Sequence, residues 1–130
     1  MSFFKSKIVP KDPPIVKQIV EDMFAAVKLI VLPEHWCQRA LCRNAAGERL
    51  FYPKDETAVA WDILGALHKV DACKETFTYL RITVKMMGFL DLDRFNDFVT
   101  HSMVLIFFKS GFRAMGQDFF IKLPDGTKIL

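Results

Sequence analysis

The chain has little with which to staple itself, cross a bilayer or hold a phosphate. Its three cysteines, Cys37, Cys42 and Cys73, are odd in number and include no Cys-x-x-Cys pair. They do not read as a disulfide framework, and a reducing, cytoplasmic setting is the expectation. The N-terminus lacks the charged-then-apolar layout of a secretory signal. The longest apolar run, Met103 to Phe108, is six residues, against the roughly 20 that a transmembrane helix requires, so no membrane span is expected. Glycine and proline, at six each, are too few for a collagen-like or low-complexity chain. There is no glycine-rich phosphate loop, nucleophile elbow, zincin helix or calcium loop, which removes the commonest small-enzyme classes. No catalytic residue, metal or cofactor is assigned from the sequence.

What is there describes one domain. A length of 130 residues, 52% hydrophobic, leaves no room for two cores yet supplies ample apolar surface for one. The domain is taken as residues 1–130, with 1–11 as a basic arm. Lys5, Lys7, Lys11 and Lys17 against Asp12 place the whole net charge of +3 in the first twenty residues. So short a basic stretch argues for a solvated arm and against a surface built to follow nucleic acid.

Periodicity gives the outline. Asp12 before Pro13 reads as a helix start, and Val16, Ile19, Val20, Met23, Val27, Ile30 and Val31 recur at the spacing of one buried helical face before Pro33 ends it. From His35 to Tyr52, two short strands flank Asn44-Ala45-Ala46-Gly47, a turn composition that predicts a hairpin. After Pro53 and Asp55, the run through Ala58, Val59, Trp61, Leu64 and Leu67 is read as a second helix. Its Gly65-Ala66 pair would let another backbone approach closely. Asp71 is placed as the cap of a third helix carrying Cys73, Phe77, Leu80, Val84 and Met87, stopped by Gly88. Asn96 or Asp97 is expected to cap a fourth helix reaching about Met115. Around Pro124-Asp125-Gly126-Thr127 a C-terminal hairpin is expected. The fold class is therefore α+β, mainly helical, with about four helices and two β-hairpins.

Trp36-Cys37-Gln38, then Gly47, Ala58-Val59-Ala60-Trp61 and Leu64-Gly65-Ala66-Leu67, followed by Asn96-Asp97, resemble an uncharacterised family of small bacterial and phage proteins over residues 24–115. In that family a tryptophan-led hairpin precedes a leucine-glycine-alanine-leucine helix. The resemblance implies a mainly helical fold with a hairpin and carries no activity. The chain departs from the family at Asp62, where a cysteine often follows the tryptophan.

Among chemistry-bearing residues, His35, Cys37, Cys42, His68 and Cys73 have no zinc-site spacing. Their expected role is packing. If His35, Cys37 and Arg39 lay on one strand they would share a face, which would license an activated thiol but does not establish one. Asp62 stands on an apolar segment beside Trp61 and needs either solvent or a base such as Arg39, Arg43 or Arg81. Asp91, Asp93 and Asp97 read as helix caps and turn residues.

The remaining signal is aromatic. Nine of thirteen phenylalanines fall from Phe77 onward, more than one small core readily absorbs. The first functional reading is thus a non-enzymatic interaction module, self-associating or an accessory subunit of a larger complex. It would bind a protein partner through Phe107, Phe108, Phe112, Phe119, Phe120 and Ile129. The alternative is a small-ligand-binding protein or minor enzyme. Its pocket would lie between the first hairpin and the second helix, using His35, Trp36, Cys37, Gln38 and Asp62, with Trp36 as a stacking wall and Gln38 as a paired donor and acceptor.

Overall fold

Two prolines in the first turn and a third just beyond the end delimit the first helix. α1 runs Pro13–Ile30 and is followed by a 3₁₀ turn, Pro33–His35. In the computed structural model, which describes residues 9–117, the chain continues through β1 (Cys42–Asn44), β2 (Arg49–Leu50) and β3 (Ala58–Trp61). It then forms α2 (Ile63–Lys69), α3 (Lys74–Met86), α4 (Leu92–Phe98) and α5 (His101–Ala114). The expected C-terminal hairpin lies outside the described residues, as does the basic arm up to residue 8. No helix among the described residues is long and apolar enough to cross a membrane.

The architecture is mainly helical α+β, with a small antiparallel sheet ordered β2-β1-β3. The turn between β1 and β2 forms as its composition predicts. Asn44 Oδ1 accepts from the N–H groups of Ala46 and Glu48 at 3.1 and 2.9 Å, and Gly47 takes the left-handed conformation at φ 79°. Three expectations are corrected. Ala58–Trp61 is a third strand, paired with β1 through Cys42↔Trp61 and Arg43↔Ala60, and the helix starts only at Ile63. Val59 is exposed while Ala60 and Trp61 are buried, as on a strand at the edge of the sheet, and Asp62 ends the strand by capping the helix. The expected fourth helix is two helices. Val99 is extended between them, Asp91 caps α4 and Thr100 caps α5, so neither Asn96 nor Asp97 is a cap. Finally, Asp71 does not cap α3. Asp22, from the middle of α1, reaches across instead, accepting from Cys73 N–H at 2.9 Å and Thr76 Oγ1–H at 2.8 Å, while Gln18 donates to its other oxygen at 2.7 Å. A carboxylate only 6% exposed is thereby held by three donors.

The core is the meeting place of all five helices and is lined by Ile19, Met23, Val27 and Ile30 of α1 and by Ile63 and Leu67 of α2. Tyr79 and Leu80, Phe95, and Phe107, Phe108 and Phe112 complete it from α3, α4 and α5. Phe95 and Phe107 stack with centroids 5.0 Å apart, and Phe107 meets Phe108 edge-on at 5.4 Å. The three C-terminal phenylalanines expected at a surface are thus core side chains, at most 1% exposed. The helix carrying them is packed on every side but the one bearing Met103 and Ile106. Phe119, Phe120 and Ile129 lie outside the described residues.

The small pair in α2 does what its size allows. A Cβ on Gly65 would stand 1.9 Å from the carbonyl oxygen of Leu41, a backbone atom that no rotamer change can move. On Gly111, by contrast, its one tight contact would be with the terminal methyl of the flexible Met23 side chain, at 2.8 Å, with the Tyr79 ring at an ordinary 3.6 Å. Gly65→Ala is expected to destabilise the fold by about 3 kcal/mol or more through forced separation of α2 from the Leu41 segment. Gly111→Ala should stay within about 1 kcal/mol of wild type, helix propensity offsetting the crowding. Urea unfolding of the two variants side by side measures the contrast, and equal midpoints would refute it.

Candidate functional site

The segment from Trp36 to Leu41 crosses the N-terminal end of α2 and is fastened to α4 chiefly by the Asn96 side chain, with Gln38 and Asp97 adding further bonds. Asn96, fully buried, accepts at Oδ1 from Trp36 Nε1–H at 2.8 Å and from the backbone N–H of Ile63 at 3.1 Å. Its Nδ2 donates to the Cys37 carbonyl at 3.0 Å and to Asp97 Oδ1 at 3.2 Å. Gln38 Nε2 donates to the carbonyls of Asn96 and Val99, each at 3.0 Å. Asp97 Oδ1 also accepts the Arg39 backbone N–H at 2.8 Å, which helps to hold Arg39 at φ 61°, a conformation disfavoured for a residue with a Cβ.

This fastening leaves a cleft of about 310 Å³ lined by Arg39, Ala40, Leu41, Arg49, Asp62, Asp93 and Asp97. It lies between the hairpin and the start of α2, with α4 as its other wall. Asp93 and Asp97 reach it because residues four apart share one helical face. Asp62 reaches it as the cap of α2: its Oδ1 accepts the Gly65 N–H. The residue is only 3% exposed. Burial raises its carboxyl to about 8, the negative charges of Asp93 and Asp97 adding to the shift and the Gly65 N–H opposing it. Asp93 is likewise pushed up, first by burial and then by Asp91 and Asp97.

Of the expected ligand residues, only Asp62 lines the cleft. Trp36 directs its indole N–H at Asn96, and the Gln38 amide donates to two backbone carbonyls. Both serve the fold behind the cleft, and neither forms the stacking wall or paired hydrogen-bonding edge first expected. His35 ends the 3₁₀ turn, half-buried and away from the cleft lining. Cys37 is buried, its Sγ–H donating to the Ala40 carbonyl at 3.5 Å. Burial, reinforced by Asp62, pushes this thiol up to about 12 despite Arg43, the reverse of what a thiolate nucleophile needs. Arg43 itself donates to the carbonyls of Gly47 and Gln38, so it does not pair with Asp62. Among the described residues no three histidine, cysteine or carboxylate side chains come together to hold a metal.

The sequence does not single out Arg49, Arg39 reads there as a candidate base for Asp62 or a neighbour of the Cys37 thiol, and Asp93 and Asp97 read as cap and turn residues, so none of the four is expected as a cleft residue. The i, i+4 spacing of the two carboxylates, with Asn96 between them, was the available signal. Compared with family profiles, with curated proteins and with solved structures, the chain matches none.

The carboxyl of Asp62 carries a consequence for stability. An unfolded aspartate ionises near 3.8, whereas the folded one holds its proton to about 8. Between those values the native state binds more protons than the unfolded state. Asp62 therefore favours the fold fully at low pH, and that contribution is lost progressively as pH rises through about 8. Asp62→Asn keeps an oxygen for Gly65 N–H and removes the titration. It should be more stable than wild type by more than about 1 kcal/mol at alkaline pH, with the gap closing in acid. Denaturant unfolding of both proteins across the pH range reads this directly. A gap that does not change with pH would show that Asp62 ionises normally.

Proposed function

We propose that the protein binds a small polar molecule in the cleft between the hairpin, the start of α2 and α4. The observation that carries this reading is Asp62. It is a nearly buried carboxyl with one oxygen fixed by Gly65 N–H, and no donor among the described residues reaches the other. Among the described residues no fully buried side-chain oxygen or nitrogen is left without a partner, so this second oxygen keeps accessible surface, and the surface Asp62 lines is the cleft. A shaped depression with a few convergent polar groups and a perturbed carboxyl is the ordinary form of a ligand site. The volume of about 310 Å³ suits a molecule at the small end of the ligand range.

A ligand that binds only the folded state raises its melting temperature. In a thermal-shift survey of small anions, cations, zwitterions and neutral polar compounds, at least one class should stabilise wild type. The stabilisation should vanish in Asp62→Asn and in the Arg39→Ala, Arg49→Ala double variant. Stabilisation that survives in both variants, or none from any class, would overturn the reading.

A second reading, an interaction module, keeps support from a different surface than the core phenylalanines. Phe98 and Leu90 are 80% and 65% exposed. Phe98 stacks against Phe89 at 5.8 Å, and Met86 and Met87 are also exposed nearby in the chain. A contiguous exposed apolar patch is the usual mark of a partner surface, and self-association through it is the form this reading takes. Replacing Phe98 and Leu90 together by Asp should leave the melting temperature nearly unchanged and abolish concentration-dependent association in sedimentation velocity. A wild type that stays monomeric at high concentration would refute self-association.

A further inference from the structure

The cleft gathers both signs of charge without pairing them. Arg39 and Arg49 line it together with Asp62, Asp93 and Asp97. The ion pairs among the described residues, Lys17–Glu21 and Lys54–Asp71, both lie elsewhere. Arg49 rests its guanidinium over the Phe51 ring, 5.2 Å from the centroid, and no carbonyl or carboxylate among the described residues accepts from either arginine side chain. On the acidic side, Asp97 Oδ1 is engaged by the Arg39 and Asn96 N–H groups, while the second oxygen of Asp62 has no donor among the described residues.

We propose that this cleft takes a small zwitterion, its ammonium group received by Asp62 beside Asp93 and Asp97 and its anionic group by Arg39 and Arg49. The inference rests on the ligand-binding reading above and names the ligand's class. A simple anion would face three carboxyl groups and a simple cation two guanidiniums. A molecule with both charges opposes each wall with its complement, and such complementarity selects against the singly charged competitors.

Protonation follows from the same geometry. The groups facing Asp62 are the carboxylates of Asp93 and Asp97, the two arginines across the cleft, and the uncharged thiols of Cys37 and Cys42, the first pushed up by burial and Asp62 and the second by burial, Asp55 and Asp62. At neutral pH the empty site holds Asp62 as the acid. An arriving ammonium favours the carboxylate, so the Asp62 proton passes to buffer as the N–H to oxygen contact forms, while the ligand keeps its own protons. Binding therefore releases up to one proton per site.

The test is titration calorimetry of the full chain at about pH 7 in phosphate and in Tris, whose ionisation enthalpies differ widely. The probes are L-alanine, L-glutamate, 4-aminobutyrate and 6-aminohexanoate, which span different charge separations, with butyrate and butylamine as single-charge controls. At least one zwitterion should bind with a buffer-dependent enthalpy corresponding to proton release, and both controls should bind about tenfold or more weakly. Asp62→Asn, whose fold is checked by its melting curve, should weaken binding by about tenfold or more and remove the buffer dependence. Binding equal in Asp62→Asn, or no zwitterion binding while another class stabilises the protein through the cleft, overturns this inference and leaves the ligand-binding reading standing. Silence from every class overturns both.

Discussion

Asn96 is the point from which the site hangs. Its side chain fills all of its hydrogen-bonding capacity inside the protein, joining the Trp36 indole, the first amide of α2, the Cys37 carbonyl and Asp97. Each bond in isolation contributes only about 1 kcal/mol net. Their combined weight lies in what their loss would strand, since a buried donor or acceptor without a partner costs about 1 to 3 kcal/mol. Three pieces of chain distant in sequence are thereby fixed relative to each other: the Trp36–Arg39 segment, the start of α2 and α4. The cleft is the space those three leave between them.

Within that frame, Asp62 has two roles that pull in opposite directions. As a helix cap it needs only an oxygen for Gly65 N–H, and an asparagine would supply one equally well. As an ionisable group it is badly placed, buried and beside two other carboxylates, so that its charge is disfavoured up to about 8. Capping therefore does not explain the choice of an acid over an amide. An acid is explained by a task that uses its proton or its charge, and the oxygen left without a donor at the cleft is where that task would be done.

Much of the scaffold was legible because its causes are local. Prolines bracketed α1, Asn44 and Gly47 wrote the β1–β2 turn, Gly88 stopped α3, and the small size of Gly65 announced a close approach that turned out to be the Leu41 backbone. What escaped reading depends on contacts across the chain. Ala58–Trp61 has an apolar content that fits helix or strand alike, and only pairing with β1 decides for strand. Asp22 reads as a polar interruption of an apolar face until its partner fifty-one residues away, the start of α3, is in place. The same holds for the cleft, whose seven lining residues come from four separate stretches. Of these Asp62 alone stood out, because an acid on an apolar segment calls for an explanation in one dimension as well as in three. The phenylalanine excess misled for the opposite reason. Counting rings says nothing about how tightly they stack, and Phe95, Phe107 and Phe108 fit into one aromatic column within the core.

The seven residues of α4 serve four directions at once, which ties the two candidate surfaces together. Leu92 and Phe95 face the core, Asn96 faces the Trp36 segment, Asp93 and Asp97 line the cleft, and Phe98 stands out in solvent at 80% exposure. So short a helix has too few backbone hydrogen bonds to hold itself. Its position is set by the Asn96 bonds, the Asp91 cap, the edge-on contact of Phe89 with Phe95 and the tilted contact of Phe89 with Phe98. A partner that gripped Phe98 and Leu90 would thus press on the element that places two of the three cleft carboxylates. Asp93, Asp97 and Phe98 lie within the same seven residues, so a rotation of the helix that moved Phe98 would move both carboxylates. The acidic wall of the cleft and the exposed Phe98 ring are two faces of one short helix, so the same few contacts that seat α4 set the position of both.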